Sequence, residues 1–74
     1  MKKKVLGAVK KLAREAGYHD VRYLGMWSGY EVAEPIFTDG EVRYTGLPQY
    51  ILVKDGVMRW TSDADESIAI MEAF

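Results

Sequence analysis

The sequence predicts an α+β fold, a small antiparallel meander of four to five strands with N- and C-terminal helices packed on one face. Three observations predict it. Apolar residues recur at helical spacing near the start and near the end of the chain. Short runs rich in Val, Ile, Tyr, Phe and Trp lie between them. Ser28-Gly29, Asp39-Gly40 and Asp55-Gly56 separate those runs at hairpin spacing. The expected order is α-β-β-β-β-β-α, in one domain over residues 1–74.

Residues 3–17 carry Val5, Val9, Leu12 and Ala16 on one helical face, widened by Leu6 and Ala13. Gly17 is a fitting stop, because glycine adopts the left-handed conformation that ends helices. Residues 20–27 and 30–37 read as strands around Ser28-Gly29, and Asp39-Gly40 leads into a strand at 41–45. Gly46-Leu47-Pro48 breaks the pattern. Residues 49–54 and 57–61 form the clearest hairpin, since a type I′ turn needs positive φ at both loop positions and Asp55-Gly56 supplies it. Residues 63–73 form the second helix, with Asp63 and Glu66 at capping-box spacing and Ala64, Ile68 and Met71 on one face beside Phe74.

Pairing through the turns assigns the faces. Ile51, Val53, Met58 and Trp60 share the core face of the last hairpin, opposite Tyr50, Leu52, Lys54, Val57, Arg59 and Thr61. Carried back along the chain, the pairing puts Leu24, Met26, Ala33 and Phe37 on the core face. Val21, Tyr23, Trp27, Tyr30, Val32 and Ile36 then fall on an outer face that is too apolar for water alone. A bulge at Pro35 would flip part of this assignment.

With 49% hydrophobic and 28% charged residues, the composition is that of a globular domain and not of a disordered chain. No apolar run approaches the roughly 20 residues that span a bilayer. Lys10, Lys11 and Arg14 interrupt what would be the apolar part of a signal peptide, so the expected location is the cytoplasm. The absence of cysteine excludes disulfides and thiolate metal sites and leaves core packing or self-association to stabilise so short a chain.

No motif announces catalysis or a cofactor, and neither an enzyme nor a bound cofactor or metal is expected. His19 is the lone histidine, too few for a zinc site, and no serine lies in a nucleophile elbow. Counting an EF-hand loop from Asp63 puts Ile68 where glycine is needed and Phe74 where glutamate is needed. The glycines match neither a dinucleotide fingerprint nor a P-loop. Gly46-Leu47-Pro48, a strand, Asp55-Gly56, a strand and a last helix resemble the C-terminal end of a thioredoxin fold over less than half of the chain. The Cys-x-x-Cys of that fold is absent, so the resemblance implies no activity here.

Two surfaces remain as candidates. The first is the aromatic outer sheet face, with Tyr23, Trp27 and Tyr30 as anchors for a partner protein or a second copy of the chain. On this reading the protein is a non-enzymatic interaction module, a homodimer or a partner-binding protein. The second is the basic helix, whose Lys3, Lys4, Lys10, Lys11 and Arg14 could contact nucleic acid or another polyanion. Six of the ten basic residues lie before position 15 and no acid does, whereas four acids and no base follow Trp60. The net charge of −1 and a pI near 5.7 argue against a dedicated nucleic-acid binder, so the expectation is a solvated helix face packed beside the acidic helix, with nucleic acid not the expected partner.

Overall fold

The computed structural model describes residues 2–36 and 49–74. In chain order these form α1 (Lys3–Glu15), β1 (Asp20–Trp27), β2 (Tyr30–Ile36), β3 (Ile51–Lys54), β4 (Val57–Trp60) and α2 (Ala64–Ala73). The four strands make one antiparallel sheet in the order β1-β2-β3-β4. The α+β class, the meander and the terminal helices are therefore as expected. The expected strand at 41–45, the Asp39-Gly40 turn and the placement of Phe37 lie outside the described residues.

Both described hairpins turn where the sequence places them. Ser28 and Gly29 have φ of 50° and 83°, and Asp55 and Gly56 have φ of 52° and 78°. Positive φ at both loop positions gives the twist that matches right-twisted strands. Lys54 then faces Val57, Val53 faces Met58 and Ile51 faces Trp60, the register expected from the turn.

One irregularity resets the faces of β1. Tyr23 pairs with Ala33 and Gly25 pairs with Val32, so Leu24 is an extra residue. The bulge sits there and not at Pro35, which pairs with Val21. The β2–β3 pairing runs only from Glu31 to Ala33, so Pro35 lies beyond it, where a missing N–H costs little. Gly25 takes φ of 137°, and a Cβ on it would stand 3.2 Å from the ring of Phe74. Glycine thus serves both the bulge and the close approach of the end of α2 to β1.

The helices lie on opposite faces of the sheet, and this corrects the expected packing on one face. Val9 and Ala13 of α1 are buried with Val21, Ala33, Ile51 and Val53, and Val5, Leu6, Leu12, Tyr18, Met58 and Trp60 pack around them. Ile70 of α2 is buried with Val32, Tyr50 and Leu52, flanked by Leu24, Trp27 and Tyr30. Successive strand residues point to opposite faces, so Ile51 and Val53 lie under α1 while Tyr50 and Leu52 lie under α2. The physical reason is the run Tyr50-Ile51-Leu52-Val53, which is apolar on both sides and needs two covers. Ile51, Leu52, Ile70, Val9 and Val32 are the largest fully buried side chains. Each such burial contributes about 1.5–3 kcal/mol.

Helix α2 also presents a different face from the one its periodicity suggests. Ser67 and Ile70 are buried, whereas Ala64 is exposed and Met71 keeps 48% of its surface in water. Hydrogen bonds set this rotation. Ser67 Oγ donates to Thr61 Oγ1 at 3.0 Å, and the Tyr50 N–H donates to the same oxygen at 3.4 Å. A buried serine that is bonded this way repays its desolvation.

Candidate functional site

The outward face of α1 is basic apart from Gly7 at its centre. Lys3, Lys4, Lys11 and Arg14 are exposed, and Lys10 is half-buried. At 100° per residue all five fall within about one third of the helix circumference, opposite the stripe of Val5, Val9 and Leu12. Along the axis, Lys3 to Arg14 spans about 16 Å at 1.5 Å per residue. No described acid pairs with Lys3, Lys4 or Lys11.

Two of the five also have structural partners. Lys10 Nζ lies 3.5 Å from Asp20 Oδ1. Arg14 Nε donates to the His19 carbonyl at 3.3 Å, and the His19 N–H donates to the Ile36 carbonyl at 2.9 Å. Asp20 accepts the Val21 N–H at 2.8 Å, and this bond, with Lys10 nearby, holds its carboxyl below the ordinary range. The exposed His19 thus joins α1 to the sheet through its backbone.

The acids of α2 and its cap lie on the other side of the sheet, whereas Glu15, Asp20 and Glu31 stay on the α1 side. Asp63 caps α2 by accepting the Glu66 N–H at 2.8 Å, and Asp65 and Glu66 occupy its first turn. Arg59 of β4 donates to both carboxylate oxygens of Glu66, at 2.8 and 3.0 Å, and Ser62 N–H donates to Glu66 at 2.9 Å. The bidentate guanidinium, and then the Ser62 amide, hold the Glu66 carboxyl at about 2 against an ordinary 4.5. The same pair raises Arg59 above its ordinary value. The charge pattern of the sequence therefore becomes a separation in space, with a basic face on α1 and an acidic cap on α2.

The three aromatic anchors do not share one uncovered face. The bulge turns Tyr23 to the α1 side, opposite Ala33, where it is 42% exposed at the edge of the sheet. Trp27 and Tyr30 pair on the α2 side and are half-buried against the cluster that contains Ile70. The Tyr30 ring has Lys54 Nζ at 5.4 Å and Arg59 Cζ at 5.0 Å from its centroid, which makes it a support for the Arg59–Glu66 clasp. Of the outer apolar face read from the sequence, Trp27, Tyr30 and Val32 lie on the side that α2 covers, whereas Val21 and Tyr23 belong to the α1 side.

Of the five large apolar side chains exposed among the described residues, three lie around β1, which is an edge strand among those described, and the others are Val57 of β4 and Met71 of α2. Tyr23, Met26 at 60% and Phe74 at 51% exposure lie along it, with the Phe74 ring over Gly25. The sequence reading missed this wrap-around edge. The signals that could have found it are Gly25 inside a strand pattern and Phe74 at the end of an apolar helix.

No family model, no curated protein and no solved structure matches the chain.

Proposed function

We propose that this chain is a small binding module, working by contact and not by catalysis, that engages the phosphate backbone of nucleic acid through the exposed face of α1. One observation carries the reading. The sheet stands between the basic helix and the acidic one, so the four acids after Trp60 do not neutralise Lys3, Lys4, Lys10, Lys11 and Arg14. A net charge of −1 then describes a dipolar molecule, and the local field at α1 sets what it attracts. Phosphate contacts release condensed counterions, so four or five of them predict an affinity that falls about 10²-fold between 50 and 200 mM salt. Fluorescence anisotropy with a short labelled DNA duplex, read across that range, tests it. Absence of binding at the low-salt end contradicts it.

A second reading is favoured by the β1 edge. Tyr23, Met26 and Phe74 offer apolar area beside a strand whose outer side has no partner among the described residues, which suits pairing with a second copy of the chain. Sedimentation equilibrium tests this reading separately. A monomer at high protein concentration removes it and leaves the α1 proposal intact.

A further inference from the structure

Gly7 sits in the middle of α1, where glycine is a poorer helix former than any residue except proline. Nothing among the described residues accounts for it. Its φ is not among the positive ones, and a Cβ built on it would meet no atom of the described residues within 4 Å. Its surroundings on the helix surface are specific. Residues three and four positions away are its neighbours there, and these are Lys3, Lys4, Lys10 and Lys11. Four lysines therefore ring one bare stretch of backbone. A shallow open groove of about 450 Å³ is lined by Gly7, Lys10, Lys11, Arg14 and Glu15.

We propose that Gly7 and its four lysines form a saddle that seats one phosphate of a nucleic-acid duplex. This rests on the reading of α1 as a nucleic-acid-binding face. Without a side chain at Gly7, the sugar–phosphate backbone reaches the helix surface, and the ammonium groups close on it from both sides along the axis. An apolar partner helix does not suit the same spot, because it would have to desolvate four ammonium groups to reach the glycine.

The test separates shape from charge. Gly7→Gln keeps every lysine and improves the helix, so its melting temperature rises, while a side chain fills the saddle. The affinity of this variant for a short labelled DNA duplex at low salt falls tenfold or more, and that of Gly7→Ala falls by less. Ala73→Gln, the same change in side chain on the opposite face, leaves the affinity unchanged. If Gly7→Gln binds within twofold of the parent while Lys3→Glu and Lys11→Glu abolish binding, the saddle is overturned and the basic-face reading stands. If the parent does not bind the duplex, or prefers phosphatidylserine vesicles to it, both fall together.

Discussion

The two helices obey opposite rules. Helix α2 follows the local chemistry of helix formation, with a capping aspartate, acids in its first turn and a glutamate that closes the capping box on Ser62. Helix α1 works against it. Its N-cap position is Lys2 with no capping side chain, its first turn has no acid, and three lysines crowd the positive end of its dipole. Gly7 then costs about 1 kcal/mol relative to alanine. Only Arg14, in the last turn, sits where the dipole favours it. Packing holds α1 in place, through Val9, Ala13 and the apolar residues beside them. Residues that break local rules without an internal return mark places selected for contact with something else. By this standard α1 is the working surface and α2 is the structural cover.

The largest expected effect comes from removing the anchor of the cover. Ile70 is fully buried against Val32, Tyr50 and Leu52, so Ile70→Ala lowers the unfolding free energy by about 2–4 kcal/mol in urea titrations. For a chain this short that is a large part of the total. A loss under about 1 kcal/mol would show that α2 is not docked as described.

The capping contrast predicts opposite signs. Asp63→Ala should lose about 1 kcal/mol, whereas Lys2→Asp should gain up to about 1 kcal/mol by supplying the missing cap. Equal signs for the two would break the comparison. Both are read as shifts of the thermal midpoint at constant pH.

Acid should act on α2 through Glu66. Its folded pKa of about 2 lies below the ordinary 4.5, so its contribution is complete above about 4.5 and is lost as the pH falls towards 2. Glu66→Gln removes that part of the acid dependence, and a denaturation profile over that window detects the change. A profile unchanged by the substitution would separate Glu66 from the stability of the clasp.

The smallest effect sharpens the contrast most. Lys3→Glu replaces a cation at the positive end of α1 and should stabilise the fold by a few tenths of a kcal/mol. The same change weakens duplex binding. Stability and binding moving in opposite directions is the signature of a charge placed for a partner.

Much of this was legible in the residues, and the failures have physical causes. Ser28-Gly29 and Asp55-Gly56 placed two hairpins because few sequences tolerate positive φ twice in succession. The pattern of α1 gave its apolar stripe from Val5 to Ala13 and its basic face, but Ala16, expected on the stripe, is exposed because the helix ends at Glu15. The parity of β1 from Leu24 back to Val21 was lost because a one-residue bulge leaves its only mark in Gly25, whereas Met26 and Trp27 fall on the faces expected. The helix placement failed for a different reason. The apolar residues on both faces of the strands were recognised, but the second cover was sought outside the chain, although α2 follows β4 after three residues. The rotation of α2 escaped because a buried Ser67 held by Thr61 looks, in a sequence, like a solvent position.

The most direct measurement is an amide chemical-shift titration of the protein with a short DNA duplex at low salt. The account predicts shifts gathered on residues 3–14 of α1, with the amides of α2 and of the Trp27–Tyr30 turn silent. Shifts centred on α2 or on the β1 edge, or none at all, would contradict it.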